Sequence, residues 1–268
     1  MQQTHTLQFT VTELHADRFG RVRPASLLRF AQDAAGSHCT LLGTDWDTMA
    51  GKGLFWAVIR QRLEVNRLPR VGETVTVKTW PMPTTKVAYP RATEGYDAEG
   101  NLLFRIISLW VIMDMQTRAM IRPDKSGVDM EGCVLGGELK APAGLNFKDL
   151  PQETLRTVGF TELDINGHMN NARYLDWLCD LLPSDYHKDH PLKAVTICYL
   201  SEALEGQQVT LHWESTVTLQ SVGSDPVSAR GGIWNAPLQQ DVLMVEGSVA
   251  QTDANLGHTK IFTAKLEF

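Results

Sequence analysis

The chain has little cysteine, and the four it carries, Cys39, Cys133, Cys179 and Cys198, form no C-x-x-C pair. That argues against a zinc ribbon or a disulfide framework and for reduced thiols. No stretch approaches the ~20 apolar residues of a membrane span, so no membrane insertion is expected. Positive charge is scarce: 25 Lys and Arg face 31 Asp and Glu, a net charge of −6, which excludes a general nucleic-acid binder. The opening "MQQTHTLQFTV" has neither the layout of a secretory signal nor the Arg- and Ser-rich character of a transit peptide. It reads as a strand that begins almost at once, in a cytoplasmic protein. "GKG" at 51–53 lacks the spacing and the following hydroxyl of a phosphate loop.

What is present starts with a 43% apolar content over 268 residues, enough for one large domain or two ordinary ones. The charge is divided unevenly. Residues 1–150 hold 18 Lys and Arg against 16 Asp and Glu, whereas 151–268 hold 7 against 15. A basic half precedes an acidic one.

The two halves also share a pattern. "FTVTELHADRFGRVRPASLLRFAQDAAG" and "RTVGFTELDINGHMNNARYLDWLCDLLP" each give an extended segment, Thr-Glu-Leu, a polar turn and a helix. In the first helix Pro24 suits N1, Leu27, Leu28, Ala31, Ala34 and Ala35 form the apolar stripe, and Gly36 is expected to end it. In the second, Asn170 or Asn171 caps, Tyr174, Leu175, Leu178, Leu181 and Leu182 form the stripe, and Pro183 ends it. Strands are expected near 54–66, 73–82, 86–97, 102–114 and 118–122, then near 194–201, 207–219, 226–235, 241–252 and 258–267. One long helix beside five or six antiparallel strands in each half predicts an α+β fold, each curved sheet wrapped around its helix and the two sheets side by side.

"TELDINGHMNNARY" crowds Asp164, Asn166, His168, Asn170 and Asn171 ahead of the second helix. If a strand continues through 158–168, Asp164, Asn166 and His168 share one face and Leu163 and Ile165 the other. A carboxylate, an amide and an imidazole then meet at a helix start with its spare N–H donors, a set suited to acyl transfer. Aligned on Thr-Glu-Leu, the first copy puts His15, Asp17 and Phe19 at these positions. Glu13 and Glu162 then read as structural, and the differing cluster as chemistry placed on one copy.

"DINGHMNNARY" resembles the signature of acyl-acyl-carrier-protein thioesterases, and the resemblance extends to "ISLWVIMDMQTRAMIRP" and "YLSEALEGQQV". It implies two tandem hot-dog domains, 1–125 for acyl-chain binding and 157–268 for catalysis, joined by a linker over 126–156. By motif, Asp164, Asn166, His168 and Glu202 match the family's catalytic residues. Where plant relatives carry a Cys after that Glu, this chain has Ala203, so no thiol nucleophile is expected. The missing transit segment points to a bacterial-type member. The implied reaction is hydrolysis of fatty acyl-acyl carrier protein to free fatty acid, with no metal or organic cofactor.

Taken alone, His168 reads better as a turn histidine and Glu202 as a solvated acid; the cluster and the resemblance reverse this. The pair His187 and His190 in "HKDH" sits in a polar loop and is a weak metal candidate. Rival readings are an acyl-CoA thioesterase, a hot-dog dehydratase or hydratase, and a non-catalytic acyl-binding protein. Leu27, Phe30 and Trp56 are the candidate acyl-tunnel residues, with Asn171 a cap or a substrate ligand. The acidic carrier protein is expected to dock on Arg60, Arg62, Arg67 and Arg70 of "RQRLEVNRLPR". A homodimer is left open.

Overall fold

The computed structural model describes residues 3–130, 132–135, 140–216, 241–250 and 258–268. Strand β1 (His5–Thr10) leads to α1 (Pro24–Leu42), α2 (Trp46–Ala50), β2 (Leu54–Val65), β3 (Thr74–Pro81), β4 (Tyr89–Tyr96), β5 (Leu102–Asp114), β6 (Met120–Ile121) and α3 (Pro123–Ser126). The second half contributes β7 (Gln152–Thr157), α4 (Asn171–Cys179), α5 (Ser184–Asp189), β8 (Ala194–Tyr199), β9 (Gln208–Ser215), β10 (Val242–Ala250) and β11 (His258–Glu267). The strand expected at 226–235, in which Trp234 is expected as a core residue, and the segments "NAPLQQ" and "DANLG", which read as turns by composition, lie outside the described residues. No helix among the described residues is long and apolar enough to cross a membrane.

The strands form one antiparallel sheet in the order β1-β3-β4-β5-β2-β8-β11-β10-β9-β7, with β6 on β5. Each side of the β2–β8 junction mirrors the other, as expected of two tandem hot dogs. Five paired positions, Arg60 with Cys198 through Glu64 with Ala194, weld the halves together. Each half keeps a helix against its sheet, and α1 and α4 touch across the centre. Leu27, Phe30, Leu63 and Phe104 share one apolar core with Tyr174, Leu175, Leu178 and Phe262 of the other half.

Two glycines carry the repeat into the sheet. Gly95 and Gly247 each stand at a register shift. A Cβ on either would overlap a neighbouring strand's ring, Phe104 at 2.0 Å and Phe262 at 2.2 Å. Any side chain there would displace a fully buried phenylalanine, a residue whose loss to Ala costs about 3–5 kcal/mol.

Helix α1 runs past its expected end. Gly36 stays helical, and the stop falls at Gly43, with φ of 66° in the left-handed region that suits a residue without Cβ. An isolated glycine weakens a helix by only about 1 kcal/mol, which the buried stripe from Ala25 to His38 outweighs. Helix α4 is shorter than expected, ending at Cys179 rather than at Pro183.

Among the described residues of 126–156, expected as a linker, several are anchored to the fold. Val128 and Met130 are buried. The carbonyls of Pro142, Ala143 and Leu145 accept bonds from Arg60, Cys198 and Thr263 on the sheet face away from the helices. Its last residues, from Gln152, belong to β7, paired with β9.

Candidate active site

No strand continues through 158–168. Phe160–Glu162 form a 3-10 turn, and Leu163 bridges Met169 to close a tight loop between them. The Asp164 side chain makes that loop. Its Oδ1 accepts N–H bonds from Asn166 at 2.8 Å and His168 at 3.3 Å, and Gly167 takes the left-handed turn position at φ 77°. A carboxylate that offers the chain a turn defeats the strand reading. Ile165 is left 75% exposed, while Leu163 packs on the core, so the two do not share a face.

The first copy builds the same loop, and this resets the comparison between the copies. Asp17 Oδ1 accepts from the N–H groups of Phe19 at 2.8 Å and Arg21 at 3.0 Å, Gly20 has φ 72°, and Ala16 bridges Val22. The structural partners are therefore Asp17 with Asp164, Phe19 with Asn166, and Arg21 with His168. The shared Thr-Glu-Leu is two residues out of step. Glu13 and Glu162 are not counterparts; Glu162 corresponds to His15, and each holds the start of its 3-10 turn. Asp164 thus belongs to the common architecture. Val22 N–H bonds the Pro69 carbonyl as Met169 N–H bonds that of Ala203, so Glu202 stands where the first copy has buried Leu68. What distinguishes the second copy is Asn166, His168 and Glu202.

His168 and Glu202 meet, and Asn166 lies two residues before His168 on the same loop. His168 Nε2 is 3.2 Å from Glu202 Oε2, with the imidazole only 12% exposed. Two residues not singled out from sequence complete the group. Trp46, at the start of α2, donates its indole N–H to Asn166 Oδ1 at 3.1 Å. Arg118, in the hairpin between β5 and β6, donates to Glu202 Oε1 at 3.2 Å and lies 5.1 Å from the Phe55 ring centre. Trp46 carried no sequence signal beyond its turn-like surroundings, and Arg118 lay within "ISLWVIMDMQTRAMIRP", a segment of the resemblance in which nothing marked it out. The helix start offers fewer donors than expected, because Asn170 takes up the N–H groups of Ala172 and Arg173. An imidazole paired to a carboxylate, beside a donor amide, can move a proton and hold a developing oxyanion.

A cavity of about 590 Å³ opens beside this group, with Asp164 and Asn166 at one end and Tyr89 and Met130 in its wall. Trp56, one of the candidate tunnel residues, lines it, its N–H held by the Thr44 carbonyl at 2.9 Å. Leu27 and Phe30 do not. They are 0% and 2% exposed, and Phe30 stacks on Phe9 at 4.5 Å, inside the core. The face of α1 turned to the cavity carries Ala35, Gly36, Cys39 and Thr40, on the opposite side of the helix from Leu27 and Phe30 at about 100° per residue. Asn171 begins α4, its carbonyl accepts from Tyr199, and it does not line this cavity.

Arg60 and Arg62 share a face, as alternation requires, but β2 is an interior strand. Arg60 meets the 142–144 segment, and Arg62 pairs with Glu64 and Glu267 at 2.8 and 3.2 Å. Arg67 pairs with Glu73 and Asp97. Arg70 bridges Arg21 in the backbone beyond the strand. The charges of Arg62 and Arg67 are therefore matched within the chain. None of the four lines the cavity. Cys198 donates to a carbonyl, and burial, with Asp176 and Asp180 nearby, pushes the Cys179 thiol up to about 12. His187 and His190 bond separate carbonyls, of Cys179 and Tyr186.

Comparison with known proteins adds family and fold. Residues 2–126 match the acyl-ACP thioesterase N-terminal domain and residues 148–231 the C-terminal domain. A palmitoyl-acyl carrier protein thioesterase of Gossypium hirsutum is 28% identical over 77% of this chain and 52% of its own length. A dodecanoyl-[acyl-carrier-protein] hydrolase of Cinnamomum camphora is 29% identical over 83% and 59%. The chain thus spans only about half the length of these chloroplastic relatives. An acyl-ACP thioesterase from Bacteroides thetaiotaomicron superposes with a TM-score of 0.79 at 21% identity, over 99% of this chain and 98% of that one. A 12:0-ACP thioesterase from Umbellularia californica gives 0.74 at 21% identity, over 99% and 93%. At those identities the likeness is one of fold.

Proposed function

The chain belongs to the acyl-ACP thioesterase family, and from that premise we propose that it hydrolyses fatty acyl-acyl carrier protein to free fatty acid and carrier protein, in the cytoplasm, within fatty acid biosynthesis. The observation that carries the reading is the His168–Glu202 pair at 3.2 Å, with His168 on the same loop as Asp164 and Asn166, which line a cavity that neither His168 nor Glu202 lines. The acyl chain enters between α1 and the first-half sheet, which brings the thioester carbonyl to Asn166. His168, oriented by Glu202, removes a proton from water as the water oxygen bonds to the carbonyl carbon. The Asn166 amide donates to the resulting oxyanion. Collapse breaks the carbon–sulfur bond, and His168 returns the proton to the departing thiolate.

Asp164 anchors the loop through Oδ1 and also lines the cavity, which keeps a nucleophilic role through Oδ2 as a second reading. Asp164→Asn can retain both turn bonds while removing the charge. Turnover within about tenfold of wild type assigns Asp164 to the loop; a loss of several orders of magnitude assigns it an acyl-anhydride step.

The test of the whole reading offers palmitoyl-, dodecanoyl- and oleoyl-acyl carrier protein beside the matching CoA thioesters and identifies the acids released. Cleavage of the carrier-protein substrates, abolished in His168→Ala, is expected. Cleavage of CoA thioesters alone would make the protein an acyl-CoA thioesterase. Binding without cleavage would make it an acyl-binding protein. Light scattering on the same sample separates a single chain from a homodimer.

A further inference from the structure

We propose that the N-terminal half completes the catalytic centre through two positioning residues, Trp46 and Arg118, an inference that rests on the roles given above to Asn166, His168 and Glu202. An amide can turn either end toward a substrate oxygen, and only its NH₂ end stabilises an oxyanion. An indole N–H can only donate, so the 3.1 Å bond from Trp46 must fall on Asn166 Oδ1. The Nδ2 protons are then left for the thioester carbonyl. Without that bond the amide is free to present a lone pair to the developing charge.

Arg118 does the matching work on the carboxylate. It holds Glu202 Oε1 at 3.2 Å, which directs Oε2 to His168 Nε2 at the same distance. Its own placement is specific. Asp114 Oδ1 accepts from the N–H groups of Gln116 and Thr117 to shape the hairpin, and Arg118 sits at φ 56°, a conformation costly to a residue with Cβ. Strain kept at a residue that touches a reacting pair points to a role there.

The other half supplies a comparison. The segment after α4 reaches back to the first-copy turn, where Arg18 donates to Ser184 Oγ, and Arg21 donates to the carbonyls of His187 and Lys188. Contact between each half's post-helix segment and the other half's turn is therefore a property of the fold. On the catalytic side alone the contact ends on a side-chain amide at the cavity. That difference separates positioning from mere packing.

The test uses the full chain with palmitoyl- and dodecanoyl-acyl carrier protein. Trp46→Phe keeps the ring and loses the N–H; kcat should fall about 3–10-fold, with KM within about twofold. Arg118→Gln should lower kcat about tenfold or more, and Arg118→Lys should recover part of it. An inactive wild type, or an active His168→Ala, would overturn the functional reading itself. If those controls behave, wild-type kcat in Trp46→Phe and Arg118→Gln, or parallel changes in kcat and KM, overturns the positioning roles alone. Nitrogen-15 spectra give a readout that needs no Trp46 variant to fold. The Trp46 indole resonance should shift in Asn166→Ala; an unmoved resonance rules out the hydrogen bond.

Discussion

Gly36 sits on the cavity face of α1, in helical conformation, and a Cβ built on it meets nothing within 4 Å. Two substitutions there test which face of α1 forms the acyl wall. Gly36→Ala removes the flexibility cost of a mid-helix glycine and creates no clash, so it should stabilise the protein by about 0.5–1 kcal/mol, roughly 1–4 °C in Tm for a domain of this size. Gly36→Leu adds an isobutyl group to the cavity instead. Each methylene of chain that loses its place forfeits about 0.8 kcal/mol, near fourfold in binding, so the longest accepted chains should lose about tenfold or more in kcat/KM while shorter ones keep theirs. Leu27→Ala is the contrast. It should cost about 2–5 kcal/mol of stability, because Leu27 is 0% exposed in the core, and leave the acid profile in place. Calorimetry and chromatography of the released acids on the three variants decide the matter. A profile shift in Leu27→Ala with none in Gly36→Leu would refute the assignment of the wall.

Asp17→Ala and Asp164→Ala break equivalent loops: each should lower stability by about 1–3 kcal/mol, but only Asp164→Ala should lower kcat by orders of magnitude, since its loop carries Asn166 and His168. Charge reversal at Arg62 and Arg67 should lower Tm by about 3–8 °C through the lost pairs with Glu64, Glu267, Glu73 and Asp97, with KM for acyl-carrier protein unchanged; a raised KM at unchanged Tm restores these arginines to a docking role. Bonds from the Thr48 and Thr117 N–H groups hold the Asp45 and Asp114 carboxyls below the usual range, so their stabilisation is full above about pH 4 and lost as pH falls through the lowered folded values. In an Asp45→Asn, Asp114→Asn double variant the fall of Tm below pH 4 should be shallower than in wild type, as calorimetry across pH would show.

The sequence by itself determined what depends on neighbours along the chain. Pro24 set the start of α1, apolar runs between turn signals set β2 to β6 and β8 to β11, and the Asn170–Asn171 pair set the start of α4, because each acts through its own backbone and the next turn. The D-x-N-x-H spacing was equally legible as a cluster. Its geometry was not, because a short carboxylate can satisfy a turn as readily as sit on a strand, and only the partners of Asp164 Oδ1 distinguish the two. The end of α1 escaped for a related reason, since burial of the stripe along a nineteen-residue helix outweighs one weak helix residue at Gly36. Tertiary structure alone decided the rest. Glu202 lies 34 positions from His168, and the bridge from His168 to Leu204 inside the second half joins them, whereas Trp46 lies 120 from Asn166 and Arg118 84 from Glu202, separations closed across the two half-sheets welded at β2 and β8. The same closure brought Arg62 to Glu267 of the other half, a pairing that no local pattern gives.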